Sequence, residues 1–191
     1  MMQIKDNIFY VGTDDRDIDL FESQYPVPQG VSYNSYLIVD NQTTVLDSVD
    51  ARRTNEWLSN IEGALKEKQP DYLVVHHLEP DHSGSIDAFL EKFPESKIVL
   101  GVKAAAMLSQ FCKKDWTNRI VKVAEGDTLD LGKHSLKFFS APMVHWPEVM
   151  VSFEQSNGVL FSADAFGRFG SLETCGYMAS EYTDWEREAR R

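Results

Sequence analysis

Apolar residues in the first fifty positions fall in short runs rich in Val, Ile, Phe and Tyr between turn-forming residues, which predicts strands over residues 7–12, 36–40 and 43–47. Only Asn41-Gln42 separates the last two, a connection of hairpin length whose Asn tolerates positive φ, so antiparallel pairing is expected. Asp50 stands where it can cap a helix starting near Ala51, and Trp57, Leu58, Ile61 and Leu65 recur at helical spacing until Pro70 forbids continuation. Tyr72-Leu73-Val74-Val75 is apolar on both faces, the pattern of a strand buried between layers. A helix over 85–93, a strand over 97–101 and a helix over 103–111 continue a βαβα rhythm. From Arg119 the pattern returns to strands, over 120–123, 134–140, 149–153 and 159–162, and residues 184–191 read as the first two turns of a helix. These elements describe a layered α/β (α+β) fold.

A length of 191 residues suits one well-buried domain, and no linker, repeat or low-complexity segment divides it, so residues 1–191 are read as a single domain. The formal charge is −11, from 19 Lys and Arg against 30 Asp and Glu. A polyanion repels phosphate backbones and anionic lipid surfaces, so neither nucleic acid nor a membrane is expected as a partner. No run reaches the roughly 18 apolar residues of a membrane span, and the first residues lack the apolar core of a secretory signal, so a cytoplasmic location is expected. Cys112 and Cys175 match neither a redox pair nor a zinc knuckle and are read as reduced structural thiols.

The chemistry concentrates in His76-His77-Leu78-Glu79-Pro80-Asp81-His82-Ser83-Gly84, where the buried strand gives way to a loop. In extended geometry alternate side chains share a face, so His77, Glu79 and Asp81 are expected to converge while Leu78 and Pro80 point inward and His76 faces away as a hydrogen-bonded core residue. Carboxylates beside imidazoles next to an apolar strand are costly to bury without a compensating cation, which points to a metal. The loop alone supplies too few ligands. His145 and Asp164 both follow apolar runs and are expected to complete the set, so that His77, Glu79, His145 and Asp164 surround one position with Asp81 nearby.

The pattern H-x-E-x-D-H followed by S-G-S, then A-P-M-x-H-W-P and S-A-D-A-F-G, together with Tyr25-Pro26-Val27-Pro28-Gln29-Gly30-Val31-Ser32-Tyr33-Asn34-Ser35-Tyr36, resembles the metallo-β-lactamase-like domain of flavodiiron proteins (A-type flavoproteins). The resemblance covers essentially the whole chain. It implies an αββα sandwich whose strand-end loops hold two irons, with His77, Glu79 and His145 on one, Asp81 on the other and Asp164 bridging. His82 is a further candidate: its counterpart binds the second zinc in hydrolytic relatives and commonly stands aside in flavodiiron proteins. His76 sits where that family often has Asn. Glu79 replaces an imidazole of the hydrolase pattern H-x-H-x-D-H, and a hard anionic oxygen favours iron over zinc.

Family members reduce dioxygen to water or nitric oxide to nitrous oxide with electrons passed through FMN, often from rubredoxin, and are commonly homodimers. A sixth ligand, a downstream histidine, and the FMN-binding flavodoxin-like domain have no counterpart after Asp164. The chain is therefore expected to be an N-terminal portion, from a truncated reading frame or as an expressed fragment, with a sandwich incomplete at its C-terminus. Its irons are expected to be partly occupied or replaced by zinc, and no FMN site is expected in it. Tyr25 is read as a donor behind the ligands or a core tyrosine, and Trp146 and Phe166 as pocket walls. The alternatives are a zinc-dependent hydrolase of the same fold and a non-catalytic remnant.

Overall fold

The computed structural model describes residues 2–65, 68–176, 178 and 181, so the helix expected over 184–191 lies outside the described residues. The chain opens with eight short strands: β1 (Met2–Lys5), β2 (Ile8–Tyr10), β3 (Thr13–Asp15), β4 (Leu20–Phe21), β5 (Tyr25–Pro26), β6 (Val31–Tyr33), β7 (Tyr36–Ile38) and β8 (Thr44–Leu46). Asp50 caps a 3-10 turn, accepting the Arg52 N–H at 2.9 Å, and this turn runs into α1 (Thr54–Leu65). Then follow β9 (Tyr72–Val75), α2 (Pro80–Ser83), α3 (Ile86–Lys92), β10 (Lys97–Gly101) and α4 (Val102–Met107). The last elements are β11 (Ile120–Val123), β12 (Thr128–Asp130), β13 (Ser135–Ser140), β14 (Met150–Glu154), β15 (Val159–Phe161) and α5 (Leu172–Cys175).

A seven-stranded sheet has the order β1-β2-β7-β8-β9-β10-β11, antiparallel up to β8 and parallel from β8 to β11. Parallel neighbours need crossover connections, which α1, α3 and α4 provide. The second sheet is an antiparallel meander, β12-β13-β14-β15. Alternation along the central strands divides their side chains between two cores. Leu73, Val75, Ile98 and Leu100 face Trp57 and Ile61 of α1 and Phe89 and Leu90 of α3. Val74, Val99, Leu46 and Ile38 point the other way, against Leu136, Phe138, Met150 and Phe161 of the second sheet. The layers therefore run helix, sheet, sheet, in the order of the expected sandwich.

Two local expectations differ from the structure, and one strand pair was not expected. The β7–β8 connection spans residues 39–43, because Asp40 turns its carboxylate to the N–H groups of Asn41 and His134 while Thr43 N–H bonds Asp71. The helix over 103–111 is α4 only as far as Met107, then a 3-10 turn over Leu108–Gln110. The pair β3–β6 has no apolar signature on β3, whose two inward residues are Thr13 and Asp15, the latter with Arg52, Arg53 and the Tyr33 hydroxyl around its carboxylate at 2.9–3.1 Å. From the packing between sheets, Phe138→Ala is expected to lower stability to chemical denaturation by about 3–5 kcal/mol. The same change at Phe139, which is only partly buried, should cost visibly less.

Candidate metal centre

Four connections bring chemistry to one end of the two sheets: the segments after β8, β9, β13 and β15. Several non-glycine residues in these connections have positive φ, namely Asp47 (56°), Met143 (67°), Ala163 (50°) and Phe166 (68°), a strain that persists only where surrounding contacts over-determine the backbone. Those contacts are visible. The Trp57 indole donates to Ser35 Oγ at 2.9 Å, and Ser35 donates to the Asp47 carbonyl at 2.8 Å. Ser48 holds the His82 carbonyl with both its N–H and its hydroxyl, and Ser83 donates to the Leu78 carbonyl. Gly84 is required because a Cβ there would sit 2.6 Å from the Pro80 carbonyl oxygen and 2.8 Å from the Ala51 nitrogen.

The structure gathers all six sequence-selected residues into two groups that share Asp164. His77, Glu79, His145 and Asp164 can each offer a ligand atom within 4.8 Å of the others, and so can Asp81, His82 and Asp164. Glu79 Oε2 lies 3.1 Å from His77 Nε2 and 2.8 Å from His145 Nε2, while Asp164 Oδ1 lies 2.8 Å from His82 Nε2. The His77 and His145 rings are 5.2 Å apart, centroid to centroid. Buried oxygens Asp81 Oδ1 and Asp164 Oδ2 have no hydrogen-bond partner, as expected of atoms arranged for a cation. A cavity of about 480 Å³ adjoins this cluster, lined by Glu22, Tyr33, Arg52, Glu79 and Asp81.

Electrostatics follow from the crowding. Burial works to raise Glu79, but hydrogen bonds from His77 and Glu22 and the charge of His145 bring it down to about 2. Glu22, bonded to the same carboxylate, is pushed up to about 7. His77 and His82 are raised above the ordinary imidazole value: burial opposes this, and Glu79 for His77, then Asp81 and Asp164 for His82, outweigh it. Protons on these rings supply the positive charge that the carboxylates require.

Some details depart from the sequence reading. Asp81 does not arrive by strand alternation. Glu79 ends the extended stretch at the N-cap of α2, Pro80 takes the first helical position and is exposed, and Asp81 turns toward His82 instead of the His77 group. Tyr25 is 46% exposed and stacks on Phe169, and Phe166 is 69% exposed at the rim, so Tyr25 is not a core residue and Phe166 does not wall a closed pocket. Trp146 does stand edge-on to His77, with centroids 5.1 Å apart. His76 is fully buried outside both groups, its Nδ1 2.9 Å from Asp47 Oδ2 and its Nε2 2.7 Å from Ser152 Oγ. Asp47 and Glu148 were missed, although each is a carboxylate beside an apolar strand, the same signal that marks Glu79.

A mixed α/β sandwich with metal-ligating residue types at its strand ends defines a metallo-β-lactamase-like domain. Residues 31–188 match the family described as ODP family beta lactamase, and the chain belongs to it. The chain is 40% identical over 169 residues to the rubredoxin-oxygen oxidoreductase of Megalodesulfovibrio gigas, covering 87% of this chain and 41% of that protein. It is 35% identical over 170 residues to the anaerobic nitric oxide reductase flavorubredoxin of Vibrio vulnificus, covering 87% of this chain and 34% of that one. Its fold superposes on the Desulfovibrio gigas rubredoxin oxygen:oxidoreductase structure with a TM-score of 0.89 at 35% identity, over 99% of this chain and 47% of the other. The Giardia intestinalis flavodiiron protein gives 0.81 at 31% identity, over 88% and 41%. The chain thus spans less than half the length of these relatives.

Asp81 gives the metal-free protein a pH dependence. Burial, opposed by His82 and reinforced by Asp164 and Glu79, pushes its carboxyl from 3.8 up to about 6. The folded state then binds more proton than the unfolded one between those values, so stability is lost as the pH rises through this window. The loss is at most about 1.4 kcal/mol per pH unit and about 3 kcal/mol in all. Denaturant titrations of the metal-free protein at several pH values should therefore show Asp81→Asn gaining on the parent as the pH rises, and parallel profiles would contradict this origin.

Proposed function

We propose that this chain is a di-iron oxidoreductase module, reducing dioxygen to water, nitric oxide to nitrous oxide, or both, with electrons delivered through FMN. The observation that carries this reading is the sharing of Asp164 between two groups of potential ligands. His77, Glu79, His145 and Asp164 would hold one iron, and Asp81 and Asp164 the other, with His82 beside them as a further candidate. The donor set fits the metal: three carboxylates beside three imidazoles make a hard site that favours iron, and two of the carboxylate oxygens are otherwise orphaned. When bound, a reduced iron pair supplies a site for the gas and the electrons to reduce it. His145, its side chain 54% exposed, leaves one flank open to a small molecule, while Trp146 closes the flank beside His77.

The electron donor in this proposal is rubredoxin, which the names of the relatives include, or a flavodoxin-like domain carrying FMN, which the family resemblance implies. We also propose that residues 1–191 act as one domain, within a cytoplasmic homodimer. Among the described residues no helix is long and apolar enough to cross a membrane.

One observation favours a second reading. His82 lies beside Asp81 and Asp164, where a zinc-dependent hydrolase of this fold would use it. Metal selectivity separates the two. Protein loaded anaerobically from mixed ferrous and zinc ions should retain iron, and Glu79→His should shift retention toward zinc. Unchanged iron retention in that variant would count against the role given to Glu79. Asp164→Ala should weaken both metal positions, whereas Asp81→Ala should weaken only one; elemental analysis after gel filtration reads both outcomes.

A further inference from the structure

Beyond the two ligand groups stands Glu148, in the connection between β13 and β14, on the opposite sheet from the strand that leads to His77. Its Oε1 lies 2.7 Å from His77 Nδ1 and accepts the Leu78 N–H at 3.0 Å. Both side chains are fully buried, at 0% exposure. A carboxylate is an acceptor only, so a nitrogen lone pair facing Oε1 at this distance would set two acceptors against each other. The Leu78 N–H also lies 3.1 Å from Nδ1, but it is shared with Glu148 Oε1 at 3.0 Å, and the shorter 2.7 Å contact with the carboxylate places a ring hydrogen on Nδ1. By the same argument Nε2, with Glu79 Oε2 at 3.1 Å and Asp164 Oδ2 at 3.5 Å, carries a second hydrogen in the metal-free protein, the one a metal would displace. The neighbouring Met150 N–H bonds the His76 carbonyl at 3.0 Å, so the same stretch of the second sheet fixes the backbone before His77 as well as its ring.

We propose that Glu148 is a positioning residue: it fixes the His77 tautomer and ring plane so that Nε2 is the nitrogen offered to a metal. The proposal rests on the reading of the site as a metal centre and adds a residue that touches no metal itself. A carboxylate behind a ligating imidazole raises its basicity and locks its orientation, and loss of such a partner typically weakens metal binding about 10–100-fold. Glu148→Gln keeps the volume and shape but replaces the fixed anionic acceptor with a neutral amide that can also present N–H to Nδ1.

The test uses the full chain and zinc as a diamagnetic probe, with affinity measured by chelator competition and the histidine rings followed by nitrogen-15 NMR. Zinc-loaded wild type should hold a slowly exchanging proton on His77 Nδ1, with Nε2 showing the metal-bound shift. Glu148→Gln should bind zinc about 10–100-fold more weakly and exchange that proton faster. Coordination of His77 through Nδ1 in the wild type would overturn the proposal even if the variant does not fold. Unchanged affinity and exchange in a folded Glu148→Gln would overturn it while leaving the metal centre intact. Failure of the wild type to bind any metal would overturn the metal-centre reading and this proposal with it.

Discussion

Carboxylates can be buried at the end of an apolar sheet only if positive charge is buried with them, and this requirement organises the molecule. Asp47, Glu79 and Glu148 are almost completely removed from solvent, with Asp81 and Asp164 beside them. Without a metal the balance is kept by the imidazoles whose proton affinity the site raises: His77 between Glu148 and Glu79, and His82 against Asp47, Asp81 and Asp164. A pair of divalent cations would take over that role and release the protons held by His77 and His82. Bound metal would then stabilise this end of the domain, linking its folding to metal binding.

The two sheets serve this balance differently. The first supplies rigidity, because its central parallel strands are apolar on both faces and end together beneath the site. The second supplies closure, bringing Glu148, His145 and Asp164 in on loops that begin or end its strands. Neither sheet alone contains a complete ligand group. The N-terminal segment adds Glu22, which shares a hydrogen bond with Glu79 and extends the acidic network into the adjoining cavity. α5 is tied back onto β3 by Asp14, which accepts the N–H groups of Leu172 and Glu173, so the segment after Asp164 is anchored to the N-terminal strands.

Much of this was legible in the sequence where burial acts on both faces of an element. The strands at 72–75, 97–101 and 120–123 occupy the positions their unbroken apolar runs imply, because a central parallel strand tolerates few other residues. His77, Glu79 and Asp81 were legible because imidazoles and carboxylates directly after such a strand are costly to bury without a cation, whereas His145 and Asp164 were weak signals alone and, with His82, were singled out by the family resemblance. The route of Asp81 was not, since Pro80 starts a helical turn where strand alternation assumed an extended chain. Short strands such as β3 were hidden because their stability comes from long-range ion pairs to Arg52 and Arg53, which leave no local periodicity. Glu148 and Asp47 were hidden for a related reason: their partners lie 71 and 29 residues away along the chain, and only the fold brings them to His77 and His76.

The central claim is that Asp164 joins two metal positions into one centre, and Mössbauer spectroscopy of the anaerobically iron-loaded and then oxidised protein tests it most directly. Two ferric ions held by ligand groups that share Asp164 would be spin-coupled, giving a diamagnetic ground state and a spectrum whose splitting in a strong field at low temperature is that of the applied field alone. Magnetically split signals from isolated high-spin ferric ions, in protein carrying two irons per chain, would contradict the account.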